Sequence, residues 1–468
     1  VTSIKQILCG TAVASLVAGT GAAIGAPIGY VGPSALDWLL TAEHVLLIGT
    51  DGTNLDKILQ YAYGDDSGFK VAMDQGITGA ASEVNHTTIS GPSWSTILTG
   101  VWDTKHGVIN NLFTPTPYNA WPTVFNLLEA HDPNINTTVV ADWDYINGIG
   151  AAGAHPADNN FLIPFQDDWA TTDAQVTAQT IAQILATADS PNISNFLFSY
   201  QVQVDEAGHG FGGGSPEYAQ AVMNVGANIK EILAAVAQVK AATGDDWSVI
   251  ITTDHGHQQS LGFGHGFQSP NETSQFVIFD QAGDHTTDGG QNLNFSIADI
   301  TPTILALFGA PMRSDFDGVS MTDPSILNSF VQPDDLKQAL LAAISMFGYP
   351  NIGNDITLAI RTLFTSVPYF LDKFINDISN YLQPIVDQDI FLISGLAEFA
   401  QQAIKFTGGL AVGATEALAQ AVAHMTGVGT IAPTDPPLSA EFSDVWGLLG
   451  GDHGLAAPDL ALPDFDVA

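Results

Sequence analysis

The stretch Trp247-Ser248-Val249-Ile250-Ile251-Thr252-Thr253-Asp254-His255-Gly256-His257 decides how this chain is to be read. Its first half is apolar and β-branched, which predicts a buried strand. The Asp-His pair then falls where the strand ends and the chain turns, the usual place for sites in open α/β sheets. A carboxylate beside an imidazole suits zinc and similar divalent ions. An isolated pair of this kind is also common as a structural feature of turns. Its meaning depends on partners elsewhere.

Working outward, strands and helices alternate from His44 onward. Strand-like runs occur at His44–Ile48, Thr137–Val140, Phe196–Tyr200, Val249–Ile251 and Gln275–Phe279. Helical spacing of apolar residues fills Ala174–Ala186 and Glu217–Ala241. This alternation predicts an α/β domain with a mainly parallel sheet flanked by helices, closing at a capped helix near Asp299–Leu305. Beyond about Pro324 the texture becomes helix-rich, with apolar faces at Leu336, Leu340 and Ile344 and again at Leu392, Leu396 and Phe399. Glu398 and Lys405 interrupt the most apolar segment, so no transmembrane helix is expected there. Packing against the core is the default expectation for this region. A separate helical domain, or a helical surface for a partner or membrane, is the alternative. The last stretch is rich in Pro, Gly and Asp and reads as a loose tail.

Composition narrows the partners. The 468 residues carry 11 Lys+Arg against 49 Asp+Glu, for a net charge of −38. Such a field repels nucleic-acid backbones and anionic headgroups, and no nucleic-acid-binding module is expected. Only two arginines occur, Arg313 and Arg361. The single cysteine, Cys9, excludes a disulfide framework and a cysteine metal site. Lys5 is followed by a small, apolar run through about Ala26, the layout of a secretory signal peptide. Export, to the medium or the cell envelope, is therefore expected.

Three further segments supply partners for Asp254 and His255. Asp51 follows the first strand in Gly49-Thr50-Asp51-Gly52. Asp205 and His209 stand four apart after the strand ending at Tyr200. His265 lies in a loop between Gly264 and Gly266, where backbone can approach an ion closely. All are read as loop residues following strands, and together they suffice for two metal sites. A nucleophile is on offer as well. Ser90-Gly91-Pro92-Ser93 leads into a helix expected to start near Pro92, where unpaired N–H groups and the helix dipole favour an alkoxide and a phosphate. On local sequence alone the simpler reading, Ser90 as an N-cap, is the favoured one.

The order of these boxes carries a resemblance. Asp51, then Ser90-Gly91-Pro92-Ser93 with Thr99-Gly100 and His106-Gly107-Val108-Ile109-Asn110-Asn111, then Asp205-x-x-Gly208-His209-x-x-Gly212, then Asp254-His255-Gly256, resembles the alkaline phosphatase superfamily. The nearest branch is the type I phosphodiesterase/nucleotide pyrophosphatase group, over roughly residues 43 to 310. The resemblance implies an alkaline-phosphatase-like core at 43–325, and the apolar N-terminal run places a signal peptide and linker before it at 1–35. A helical accessory region at 326–430 and a tail at 431–468 would follow. It also implies two divalent metal ions of the zinc type. Asp51, Asp254 and His255 would hold one together with Ser90. Asp205, His209 and a third histidine would hold the other. That role is assigned to His265, whose His-Gly setting resembles a loop of several superfamily members; His257 and His285 fit it less well. Asn111 matches the asparagine that holds a phosphoryl oxygen, although it also reads as a turn residue after Asn110.

Serine at position 90 departs from the threonine usual in the diesterase branch, as does Ser93 from asparagine; Thr88 is a less favoured nucleophile. The implied activity is hydrolysis of a small anionic phosphate ester, most simply a diester, through a phosphoseryl intermediate. The scarcity of arginine favours a diester, because a monoester carries more charge to be compensated. A phosphomonoesterase or phosphoryl transferase is the alternative within the fold. A catalytically idle, metal-containing envelope-binding protein is the alternative outside enzymes. Oligomeric state is not legible.

Overall fold

The strand His44–Thr50 is buried at every position because both of its faces are covered. In this computed structural model, which describes residues 43–190, 192–262, 264–346, 352–388, 393–429 and 431, that strand lies inside a mixed sheet with strands on both sides. The expected signal peptide, and the expected tail apart from Ile431, lie outside the described residues. The strands are β1 (His44–Thr50), β2 (Ile77–Gly79), β3 (Asn136–Ala141), β4 (Asn159–Leu162), β5 (Asn195–Gln201), β6 (Trp247–Thr252), β7 (Val277–Asp280), β8 (Gly290–Asn292) and β9 (Phe330–Val331). Their spatial order is β4-β3-β5-β1-β6-β7-β2-β8-β9.

The block from β4 to β6 is wholly parallel, as the alternating pattern predicts. The run at Gln275–Phe279 forms β7 but enters antiparallel to both β6 and β2, so the second half of the sheet is mixed. Side-chain alternation splits the core in two. Val45, Leu47, Phe196, Phe198 and Ile250 face one helical layer, and Leu46, Ile48, Leu197, Val249 and Ile251 face the other. That period of two, on strands apolar throughout, is why helices lie on both faces.

The parallel register sets up the site. Thr50 lies opposite Gln201, and Gly49 opposite Thr252. Strands β5, β1 and β6 therefore end side by side, and the residues that follow them converge.

The C-terminal region divides in two ways. The helix Leu336–Met346 packs Leu336, Leu340 and Ala343 into one of the two cores, as the default reading expects. The two long helices Ile352–Val386 and Ile393–Met425 pair with each other and dock beside the strand ends. Among the described residues, no helix is long and apolar enough to cross a membrane.

Candidate metal centre and catalytic pocket

Asp51 is the first residue after β1 and is held from below. Trp94 Nε1 donates to Asp51 Oδ2 at 2.8 Å, and the Tyr200 hydroxyl donates to the same oxygen. Trp94 reaches this place only because residue 49 is glycine: a Cβ there would lie 2.4 Å from the indole ring. With Oδ2 fixed, Asp51 Oδ1 is buried with no hydrogen-bond partner, and so is Asp254 Oδ2. Both oxygens point at one atom, His255 Nε2, at 3.6 and 3.2 Å. His255 Nδ1 lies 3.1 Å from its neighbour's carbonyl, Gly256 O, to which it donates. That tautomer leaves a lone pair on Nε2 among the carboxylate oxygens. Two orphaned carboxylate oxygens and an imidazole lone pair converge, which is the donor set of a divalent cation.

Electrostatics agree with this geometry. Burial, then the charge of Asp205, pushes Asp51 up to about 8. Burial, then Asp51, pushes Asp254 well above the usual carboxylate range. Burial drives His255 down to about 3, so it is a neutral donor. A cation among these groups removes the repulsion that burial creates.

Ser90 completes this first cluster. The helix begins at Ser90 itself, two residues before the expected Pro92, with Ile89 as N-cap. Ser90 is therefore not a cap. Its Oγ lies 3.1 Å from His255 Nε2, at the positive end of a helix buried along its whole length. Asn111 Oδ1 accepts from Gly91 N at 2.7 Å, tying it to the same helix start, while Asn110 is the turn residue, accepting from Leu112 N at 3.0 Å. Thr88, the less favoured nucleophile, gives its hydroxyl to Glu272 at 3.1 Å, and its carbonyl accepts from His265 Nδ1 at 2.7 Å. It orients a histidine.

The second cluster gathers on Asp205. Asp205 and His209 are not loop residues: they share one face of the helix Gln203–Phe211, where four-residue spacing aligns them. Asp205 Oδ2 lies 3.2 Å from His209 Nε2, and His265 Nε2 lies 3.2 Å from the same nitrogen. His257, which sequence ranked low, is 2.7 Å through Nε2 from Asp205 Oδ1 and fully buried. Asp205, His209, His257 and His265 all present ligand atoms within 4.8 Å of one another. Gly208 makes room for it: a Cβ at that position would stand 2.5 Å from the His257 ring. His285 is elsewhere, exposed beside Asp288. Asp205's charge raises His209 to about 9. Burial, then the neighbouring His255, holds His265 well below its usual value. Burial works against ionised Asp205, but His209 and His257 outweigh it and hold Asp205 well below the carboxylate range.

Both clusters open into a cavity of about 460 Å³ lined by Asp51, Ser90, Asn111, Asp205, His209 and His265. Its far wall was not legible in the sequence. Thr362, Leu363, Ser366, Val367, Tyr369, Phe370 and Lys373 come from the long helix Ile352–Val386. Two of the contacts that seat that helix lie close to the site. Arg361 Nη1 donates to Asp103 Oδ2 at 3.0 Å in a buried ion pair. Thr362 Oγ1 donates to Gly266 O at 2.7 Å, next to His265. Among the described residues, Lys373 is the only lysine or arginine lining the cavity.

A serine at a helix start, set among Asp and His donors where central parallel strands end, defines a metal-dependent ester hydrolase. The sequence pattern of the type I phosphodiesterase / nucleotide pyrophosphatase family matches residues 45–290, more than half of the chain, and the chain belongs to that family, within the alkaline phosphatase superfamily. No curated protein matches the chain. Similar solved structures include a protein of Bacteroides thetaiotaomicron provisionally named a sulfatase. It is 14% identical, covers 62% of this chain and 76% of its own, and superposes with a TM-score of 0.49. The alkaline phosphatase PafA is 13% identical, covers 60% of this chain and 98% of its own, with a TM-score of 0.47. The phosphonate monoester hydrolase of Silicibacter pomeroyi is 15% identical, covers 63% and 78%, with a TM-score of 0.45.

Proposed function

We propose that the protein is an exported phosphodiesterase in which Ser90 is the nucleophile. The observation that carries this is Ser90 Oγ, 3.1 Å from His255 Nε2 and facing the orphaned oxygens of Asp51 and Asp254. Two divalent cations of the zinc type, one held by Asp51, Asp254, His255 and Ser90 and the other by Asp205, His209 and His265, would supply Lewis acidity toward the serine hydroxyl and the phosphate oxygens. Ser90 Oγ attacks phosphorus in line as the bond to the leaving oxygen breaks, giving a phosphoseryl ester. The leaving oxygen departs with the serine proton; water then cleaves the ester, its oxygen bonding to phosphorus and one of its protons restoring the Ser90 hydroxyl. Asn111 has its carbonyl oxygen engaged by Gly91 N–H, which leaves its amide N–H groups to donate to a phosphoryl oxygen. His255 and His265 are each held by a hydrogen bond from Nδ1 to a backbone carbonyl, which keeps Nε2 directed inward.

That Lys373 is the one lysine or arginine among the described lining residues supports the diester reading, since a monoester dianion needs more compensation. We assign catalysis to residues 43–325 and a supporting role to the helical region 326–430. Export rests on the apolar run through about Ala26. The test is hydrolysis of a bis-aryl against a mono-aryl phosphate by zinc-loaded protein. The diester should be preferred, and Ser90→Ala should lower kcat/KM by at least about 10³-fold. Preference for the monoester, or full activity of Ser90→Ala, would overturn the reading.

A further inference from the structure

The helix Ile352–Val386 carries a stripe of exposed apolar residues, Ile356, Ile360, Leu363, Val367, Phe370 and Phe374, at alternating four- and three-residue intervals. Tyr381, 81% exposed, continues it one heptad further on. Such spacing puts these side chains on one face of the helix. A contiguous apolar face of this kind on a strongly acidic chain marks a binding surface. Here it has a definite origin: Leu363, Val367 and Phe370 also line the catalytic cavity. The middle of the stripe therefore lines the cavity, beside the donor clusters, and past Phe370 it leaves the cavity toward Phe374 and Tyr381. From Phe370 to Tyr381 it extends roughly 16 Å, about half the ~30 Å hydrocarbon thickness of a bilayer, which is the length of one acyl chain.

We propose that this stripe is the track for a long alkyl chain on the substrate, so that the phosphodiester cleaved at Ser90 is a single-chain amphiphile. The inference rests on the phosphodiesterase reading and names its substrate class. The cavity supplies both ends of such a molecule. Lys373, between Phe370 and Phe374 in sequence, sets one positive charge at the cavity wall for the single charge of a diester. The apolar residues flanking it suit the chain. A second copy of the protein seated on the stripe would cover the part that lines the cavity and obstruct entry. A whole anionic bilayer is opposed by the net charge of −38. One chain laid along the helix meets neither objection.

The test uses the zinc-loaded full chain and a series of methyl, butyl, octyl and dodecyl p-nitrophenyl phosphates, each below its micellar concentration. Each fully buried methylene is worth about fourfold in affinity, so partial cover suffices for the expected gain of at least tenfold in kcat/KM from butyl to octyl. Phe374→Ser changes a residue that is 60% exposed and outside the cavity lining. It should remove at least about fivefold of the dodecyl rate and leave the melting temperature unchanged. A flat series would overturn the inference while leaving the phosphodiesterase reading intact. Failure to cleave any member would overturn that reading instead. A rising series untouched by Phe374→Ser would place the chain elsewhere and overturn the track. A dimer in sedimentation that Phe374→Ser dissociates, with a flat series, would assign the stripe to a second copy.

Discussion

The two donor clusters differ in kind. The cluster of Asp51, Asp254 and His255 is fully buried, rich in carboxylate and built on strand ends. The cluster of Asp205, His209, His257 and His265 is rich in imidazole and partly built on a helix, with His209 40% exposed. The first pays the full desolvation cost of two close carboxylates and therefore depends most on a cation. The second has histidine partners for its one carboxylate and is nearly self-compensating. One cluster is thus a hole for charge, and the other is a scaffold that already balances.

The largest test of that contrast is Asp254→Asn against His209→Ala. Asp254→Asn removes one of two buried carboxylates that repel each other. It should raise the melting temperature of the metal-free protein while lowering metal affinity by more than about 100-fold, a loss exceeding that of outer-shell changes. His209→Ala should weaken metal binding without raising the metal-free melting temperature. Calorimetry with and without chelator reads both. If Asp254→Asn destabilised the metal-free form, the buried cluster would not be a charge hole.

A smaller effect is expected at His257. As a partner that orients Asp205, its replacement by alanine should cost about 10–100-fold in affinity for one equivalent of metal. Metal stoichiometry should stay at two. A fall to one would make His257 a ligand in its own right, at the expense of His265.

The smallest effect is a slope. Asp51 has a folded value of about 8 against 3.8 unfolded, so its contribution is present at low pH and lost as pH rises through about 8. His209, raised to about 9 from 6.5, acts in the same direction. His255, lowered to about 3, acts in the opposite direction, but only below 6.5. Metal-free protein should therefore lose stability between pH 6.5 and 8, and zinc should flatten or reverse that slope because its ligands bind deprotonated. A metal-free melting temperature that rises across this window would contradict the assignment.

How much of this was legible follows the same division. Asp51, Asp254 and His255 directly follow apolar strand runs, so strand periodicity locates them and parallel pairing brings them together. Asp205 and His209 were visible as a pair, but their helix was not, because Gln203-Val204-Asp205 carries no cap signal beyond its acidic first turn. Ser90 looked like a cap because serine caps well; only the observed start of the helix separates the two roles. His257 hid because its partner, Gly208, is far away in sequence. The cavity's outer wall was least legible, since it arises from docking across more than 250 residues, Arg361 to Asp103. An arginine in a chain with only two was the available hint.

That wall has a consequence for how the molecule can change over time. The helix Ile352–Val386 contributes none of the cluster residues, yet supplies about a third of the positions that line the cavity. The donor residues and this part of the cavity wall therefore lie on separate stretches of chain. Substitutions along the helix can retune what is admitted without disturbing the machinery that cuts, provided that Arg361 and Thr362 keep the two halves joined.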